Sequence, residues 1–327
     1  MTSRSKNLLL FGLKLAVAAL LLGWLVRSGN LDLAALRIFV DSPVLLLVDA
    51  AVFGVGALIS VLRFRVLLGI ADVRVPLLTL LKLQMTAFFF NVVIPGNIGG
   101  DVVKALYVAR DEPAEKRTTI LMLAFVERVL GLTALVLLGA LVVLFRAGTL
   151  LGDPQLRPMA TTVAVLGATT LGGGIFAIAL VRTLGHRLDA YTTGPSKLSK
   201  LLNQLVGALR VVSAGPRRIA VALGLSMLYH LAGIFYFTLL TQAILRTPVP
   251  VSTVATIFPL GLLALVLPIS PSGLGVGHVA FSRLFQAAGI AGGATVFNVY
   301  LLGQITPCLL GVFPFLSLKR RGELPAN

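Results

Sequence analysis

Long apolar runs occupy most of the chain and are separated by short segments that contain Gly, Pro or basic residues. A hydrocarbon core of about 30 Å needs about 20 mostly apolar residues for each crossing helix. Runs that reach or approach this length lie at residues 8–26, 43–62, 77–94, 120–145, 159–181, 219–245, 251–268 and 294–318. The pattern therefore predicts an all-α polytopic membrane protein.

Composition and charge support this interpretation and add an orientation. Of the 327 residues, 57% are hydrophobic and 12% are charged, against about 25% charged in an ordinary soluble domain. Lys and Arg number 28 against 12 Asp and Glu; in so apolar a chain this excess is typical of cytoplasmic loop anchors, so no nucleic-acid partner is expected. The basic groups at 63–74, 110–117, 182–218 and 319–321 are predicted to be cytoplasmic, as are both termini, in the plasma (inner) membrane.

Two apolar stretches then begin and end on the same side of the membrane. Residues 77–110 have cytoplasmic ends and residues 251–293 have external ends, which predicts two re-entrant helical hairpins of opposite orientation beside about six full spans. Their turns are alike, VIPGNIGGDVV at 93–103 and LPISPSGLGVGHV at 267–279. Paired interrupted segments that face opposite ways are typical of an inverted-repeat transporter with a site near the midplane. The alternative is that Pro and Gly are simply common in transmembrane helices.

The single transmembrane domain, 1–327, contains one substantial loop, at about 182–218. Apolar residues recur there at helical spacing: Leu198, Leu201, Leu202, Leu205, Leu209 and Val212. This spacing predicts an amphipathic helix at the cytoplasmic interface, which either connects two halves of the fold or captures lipid.

Ionisable residues interrupt the apolar pattern near the first turn. Asp101 and Lys104 are three apart, on one face of the returning half-helix, and Glu127 and Arg128 are adjacent within a long apolar run. Such groups cost several kcal/mol at membrane depth unless they pair or face water, so they are functional candidates; the alternative is ion pairs that only lock the hairpin. Adjacent helical residues point about 100° apart, so Glu127 and Arg128 need different partners. A basic partner is also expected for Asp49.

Half-helices that begin at both turns direct two positive helix ends toward the middle of the protein, and Lys104 and Arg128 add charge, so an anionic ligand is expected. A lipid that carries a phosphate fits so apolar a chain best. The predicted substrate-binding residues are Asn97, Gly99, Gly100, Asp101, Lys104, Glu127, Arg128, Ser270, Ser272, Gly273, Gly275 and His278. His278 is either a proton-sensitive gate or a satisfied core donor. One cysteine and three scattered histidines indicate no metal site, and no cofactor is expected.

Three motifs, in order, resemble the lysylphosphatidylglycerol synthase transmembrane-region family. They are Pro-Gly-x-x-Gly-Gly-Asp at 95–101, Glu-Arg-Val-Leu-Gly-Leu at 127–132 and Pro-Ile-Ser-Pro-Ser-Gly-Leu-Gly-Val at 268–276. The resemblance implies a flippase-like membrane protein, similar to the N-terminal lipid-translocating half of the bacterial multiple peptide resistance factor. It further implies that the Gly-Gly-Asp turn and the Glu-Arg pair line a central cavity. Lys104 and His278 depart from the arginine and acidic residue that members often carry at these positions.

The leading hypothesis is a lipid flippase or transporter that moves an anionic, phosphate-bearing lipid such as a phospholipid or a polyprenyl phosphate. An integral membrane transferase acting on such a lipid is the alternative, and a subunit that only anchors a lipid-modifying enzyme is a third hypothesis. Only residues 319–327 follow the last predicted span, so no lysyl transfer by this chain alone is expected. A lipid-modifying enzyme and a second copy of the chain are the candidate protein partners.

Overall fold

The computed structural model describes residues 37–93, 99–152, 154, 157–192, 197–265 and 275–320. These residues form α-helices and one turn of 3-10 helix, Gly69–Ala71, with no strand among them, which confirms the all-α class. In chain order the helices are α1 (Arg37–Asp41), α2 (Pro43–Leu68), α3 (Leu77–Val93), α4 (Gly99–Arg110), α5 (Ala114–Phe145), α6 (Ala147–Gly152), α7 (Arg157–Thr192), α8 (Lys197–Ala214), α9 (Pro216–Leu245), α10 (Val251–Ala264), α11 (Val276–Ala287), α12 (Gly293–Leu309) and α13 (Val312–Arg320).

Five helical segments of the described part are long and apolar enough to cross a membrane. They are Pro43–Ala71, Ala114–Phe145, Ala160–Thr183, Pro216–Leu245 and Gly293–Leu318. Each coincides with one of the runs predicted as a full span, whereas the predicted first span at 8–26 lies outside the described residues. The chain is therefore a polytopic integral membrane protein.

Helices α2 and α9 form an antiparallel pair that fixes the two ends of the molecule. Arg63 on α2 donates to Ser226 on α9, with 3.1 Å between Nη1 and Oγ. Further toward the N-terminus of α2, Asp49 accepts a hydrogen bond from Tyr236, which lies later on α9. The end of α2 and the beginning of α9 thus lie together, and we call this the basic end of the molecule.

The first hairpin consists of α3 and α4, whose backbones approach closely near the turn. A Cβ atom on Gly100 would lie 1.9 Å from the carbonyl oxygen of Ala87, so only glycine fits there. The start of α3 and the end of α4, which lie away from the turn, pack in the hydrophobic cluster that includes the end of α2. Leu67, Leu80 and Val108 are among the members of this cluster. The first hairpin therefore opens toward the basic end.

The second hairpin consists of α10 and α11 and follows α9 at the opposite end of the molecule. Glycines again permit the contact, because a Cβ atom on Gly261 would lie 2.4 Å from the ring of Phe281. The ring of Phe281 in turn stacks on that of Phe297 with 4.8 Å between centroids. A separate hydrophobic cluster surrounds this hairpin. The two hairpins thus open toward opposite ends, while their re-entry into a membrane and their relation by an inverted repeat stay predictions.

Helix α5 is shared by the two hairpins. Its first half packs against α4, and Gly139 in its second half faces Pro259 and Leu263 of α10, within 3.8 Å of a Cβ built at that glycine. Helix α5 therefore contacts both hairpins.

The predicted loop at 182–218 is mostly helical. Helix α7 continues to Thr192, and α9 begins at Pro216, so the predicted bounds of the linker are too wide. Between them, α8 is the predicted amphipathic helix, and it buries Val206 and Ala208. Gly207 lets α8 approach α5, because a Cβ there would lie 3.4 Å from the Met122 side chain. Helix α8 therefore packs against α5, and its role as connector or lipid-capturing helix stays a prediction.

Candidate functional site

Two ion pairs of opposite polarity join α4 to α5 beside the first turn. The Lys104 Nζ lies 2.8 Å from Oε2 of Glu127, and Nη1 of Arg128 lies 3.4 Å from Oδ2 of Asp101. The prediction that the adjacent residues Glu127 and Arg128 have different partners is confirmed.

A second cation, Arg63, binds the same glutamate. Its Nε and Nη2 atoms each lie 3.2 Å from Oε1 of Glu127. The prediction that Arg63 belongs to a cytoplasmic loop is wrong, since α2 continues to Leu68 and the Arg63 side chain is only 15% exposed. The signal that could have located it is the continuation of apolar residues at Phe64, Leu67 and Leu68.

Lys104 is enclosed by protein. Its side chain is 1% exposed, and Nζ also donates to Oε1 of Gln84 at 2.9 Å. The ammonium group lies 4.3 Å from the centroid of the Phe64 ring, within the range of a cation–π contact. Lys104 therefore contacts Glu127, Gln84 and Phe64, and its contact with a substrate stays a prediction.

The Arg128–Asp101 pair, by contrast, is accessible from outside. The two side chains are 35% and 25% exposed. Arg128 follows the start of α5 by 14 residues, or about 21 Å of helix, and so lies inside the segment Ala114–Phe145, which is long and apolar enough to cross a membrane. Exposed apolar side chains surround the pair along the same two helices: Val102, Leu106, Phe125 and Val129. An accessible guanidinium group thus lies among exposed apolar side chains of two helices.

A cavity of about 260 Å³ separates the two hairpins. It is lined by residues of α2, α3, α9, α10 and α12, with the polar groups Asn91, Tyr229, His230, Tyr236, Tyr300 and Gln304 among them. Gly99, Gly100, Asp101, Glu127 and Arg128 are absent from the described residues that line it. Asn91 connects the cavity to the first turn, because its Oδ1 accepts a hydrogen bond of 2.9 Å from the Gly100 N–H. Sequence reasoning missed Asn91, although it is a lone amide after three phenylalanines.

Asp49 lies beside this cavity with a different partner from the one expected. Its carboxylate accepts a hydrogen bond from the Tyr236 hydroxyl, and no salt bridge to Asp49 occurs within the described ranges. Within the described part of the chain, Asp49 therefore has a tyrosine partner in place of the expected basic residue. A Cβ on Gly303 of α12 would lie 2.7 Å from Oδ1 of Asp49, so three helices enclose the carboxylate.

Replacement of Tyr236 by Phe is expected to lower the free energy of unfolding by about 1–3 kcal/mol, because a buried acceptor loses its donor. Thermal unfolding of the purified protein in detergent measures the change. Tyr300→Phe is the matched control, since it removes a neighbouring hydroxyl that makes no hydrogen bond to Asp49. Equal losses in the two variants would contradict the assignment.

The second turn is described only from Gly275 onward; Ser270, Ser272 and Gly273, like Asn97 of the first turn, lie outside the described residues. Gly275 has a φ of 79° and precedes the first residue of α11, as expected for the start of a returning helix. Nε2 of His278 lies 3.5 Å from Oδ1 of Asn298 on α12. No group of three or more His, Cys, Asp or Glu within the described part is placed to hold a metal ion.

The comparisons with known proteins add the family. A family described as the lysylphosphatidylglycerol synthase TM region matches residues 11–312. The chain belongs to this family. Membership confirms the resemblance carried by the three motifs and connects the protein with membrane lipids. No curated protein and no solved structure matches the chain.

Proposed function

We propose that this member of the family moves a lipid with an anionic, phosphate-bearing headgroup across the membrane and that Arg128 contacts the headgroup. The observation that carries the proposal is the partly exposed Arg128–Asp101 pair within an apolar surface. An ionised pair at such a depth is costly unless it faces water or a polar ligand. A passing headgroup would supply that polar contact.

The charge of the cluster favours an anion. Arg63, Lys104 and Arg128 contribute three positive charges and Asp101 and Glu127 two negative ones, so the ionised cluster carries a surplus of one positive charge. A phosphate diester would neutralise this surplus, and a guanidinium group binds phosphate oxygens with paired N–H donors. The N-terminal end of α4, beside Asp101, adds partial positive charge.

The surroundings of the pair favour a lipid over a water-soluble anion. Val102, Leu106, Phe125 and Val129 are each at least two-fifths exposed, at 45%, 50%, 48% and 42%. Acyl chains can lie along these side chains while the headgroup reaches Arg128 from the side. Access would therefore come from within the bilayer.

The two hairpins provide a basis for alternating exposure. They open toward opposite ends, meet the same cavity through α3 and α10, and both pack on α5. A displacement of the first hairpin would change the surroundings of Asp101 and Arg128 together. Transport thus follows from movement of the hairpins about α5, in agreement with the hypothesis of a flippase.

Reconstitution into vesicles tests the proposal. Vesicles contain fluorescent phosphatidylglycerol or fluorescent phosphatidylcholine, and dithionite quenches only the analogue in the outer leaflet. We expect the wild-type protein to expose the inner-leaflet phosphatidylglycerol analogue, and Arg128→Ala to slow this exposure by at least about tenfold, the factor that corresponds to one charge-assisted hydrogen bond.

Arg128→Lys keeps the charge but loses the planar fork, so an intermediate rate is expected. Glu115→Gln, an exposed change in the first turn of the same helix, is the control and should transport at the wild-type rate. Equal rates for wild type and Arg128→Ala would refute the proposed contact. A covalently altered lipid product, detected by mass spectrometry, would favour the transferase instead.

A further inference from the structure

A groove of about 850 Å³ lies at the basic end, between the end of α2 and the beginning of α9. It is separate from the Arg128–Asp101 pair and from the cavity between the hairpins. Its lining residues are Leu62, Arg65, Val66, Gly69, Ala214, Gly215, Pro216, Arg217, Arg218 and Val221. No acidic residue is among these, so the groove has three positive charges and no compensating carboxylate in its described lining.

The three arginines differ in what holds them. Arg218 donates to the carbonyl oxygen of Gly69 and so ties the start of α9 to the end of α2. Arg65 and Arg217 are exposed, and neither forms a salt bridge with the described residues. Two guanidinium groups on a fixed frame therefore remain available to an anion.

The beginning of α9 adds to the positive electrostatic potential of the groove. Gly215 is the N-cap residue and offers no side chain to the first turn of the helix. The partial positive charge of this helix end lies in the groove with the arginines, because Gly215, Pro216 and Arg217 all line it. An anion here would have both guanidinium and backbone donors nearby.

The other side of the groove is apolar and belongs to two membrane-crossing segments. Leu62 and Val66 lie on α2, and Val221, which is 47% exposed, lies on α9. The arginines occupy the last turn of α2 and the first turn of α9, at the ends of two segments that are long and apolar enough to cross a membrane. A headgroup at the arginines would therefore have its acyl chains directed along Leu62, Val66 and Val221.

From this arrangement we infer that the groove is a second lipid site, which binds an anionic glycerophospholipid of the leaflet at the basic end. The ligand is a lipid rather than free phosphate, because the apolar side chains of Leu62, Val66 and Val221 line the groove beside the arginines. Bound lipid bridges α2 and α9 and so stabilises the helix pair that positions Arg63 against Glu127. The inference does not depend on the transport activity.

Thermal unfolding of the full chain in neutral detergent tests it, with phosphatidylglycerol or phosphatidylcholine added as mixed micelles. A thiol-reactive fluorophore that labels Cys308, the one cysteine of the chain, reports unfolding. Phosphatidylglycerol is expected to raise the Tm of the wild type and phosphatidylcholine to raise it less. Each basic residue near an anionic lipid contributes about fivefold to binding, so Arg65→Gln/Arg217→Gln should raise the phosphatidylglycerol concentration needed for a given Tm increase by about 25-fold.

Arg74→Gln/Arg246→Gln is the matched control, because it removes two exposed arginines that do not line the groove. It should retain the wild-type response. A second measurement keeps all arginines and decides the matter even if the double variant does not fold. The chain has one tryptophan, Trp24, so the fluorescence of Trp24→Phe/Val221→Trp reports on the groove alone, and brominated phosphatidylglycerol should quench it more than brominated phosphatidylcholine.

The inference would be overturned if phosphatidylglycerol raised the Tm of Arg65→Gln/Arg217→Gln as much as that of Arg74→Gln/Arg246→Gln. Equal quenching by the two brominated lipids would also overturn it. A Tm increase of the same size with soluble glycerol phosphate would overturn the assignment to a lipid. Loss of transport in Arg128→Ala together with an unchanged phosphatidylglycerol response would support the proposed transport and this second site separately.

Discussion

Replacement of Glu127 by Gln is expected to lower the free energy of unfolding by about 3–5 kcal/mol, the largest loss among the substitutions considered. Glu127 is 4% exposed and accepts from both Lys104 and Arg63, at 2.8 and 3.2 Å. The amide keeps the shape of the side chain but removes the charge, so a fully buried ammonium group loses its carboxylate. Thermal unfolding in detergent measures the loss.

Two further proteins separate charge from shape. Glu115→Gln makes the same chemical change at an exposed position of the same helix and should alter stability by less than about 0.5 kcal/mol. Adding Lys104→Met to Glu127→Gln removes the uncompensated ammonium group and should restore part of the lost stability. If Glu127→Gln were as stable as Glu115→Gln, the buried ion pairs would not hold the first hairpin.

Replacement of Gly100 by Ala is expected to lower stability by at least about 2 kcal/mol and to abolish transport. A methyl group there would lie 1.9 Å from the Ala87 carbonyl oxygen, a backbone atom that cannot rotate away. The two arms must separate, and this moves Asp101 away from Arg128. Unfolding in detergent and the dithionite assay measure the two effects.

Two controls distinguish a collision with the backbone at Gly100 from a general loss of stability when a helical glycine is replaced by alanine. Gly224→Ala lies within α9, where nothing is within 4 Å of the new methyl group, so a gain of about 1 kcal/mol from helix propensity is expected. Ala87→Gly should not rescue Gly100→Ala, because the obstructing atoms are main-chain atoms. Rescue by Ala87→Gly, or full activity of Gly100→Ala, would refute the close approach of the two arms.

Local sequence features were sufficient for the helices and for the interruption of the first hairpin. Apolar length gave the spans, and the glycine pair at 99–100 marked the start of α4, because hydropathy and backbone freedom are properties of neighbouring residues. The separate partners of Glu127 and Arg128 followed from helix geometry alone.

Long-range contacts could not be predicted from such local features. Arg63 lies 64 residues from Glu127 in the chain; the apolar residues that follow it indicate its place in a helix, but no local feature indicates its partner. Asp49 accepts a hydrogen bond from Tyr236, which is 187 residues away in the chain and has no charge that would indicate the pairing. Single residues on separate helices, such as Asn91 and Gln304, form the polar lining of the cavity, so no sequence motif predicts it.

The crossed polarity of the two ion pairs between α4 and α5 also governs assembly. In the observed register each carboxylate meets a cation, Asp101 with Arg128 and Lys104 with Glu127. A slide of α4 in one direction would bring Asp101 toward Glu127, and a slide in the other direction would bring Lys104 toward Arg128. Either arrangement places like charges together in surroundings that screen little. We therefore expect a hairpin docked one turn out of register to be less stable than the observed one.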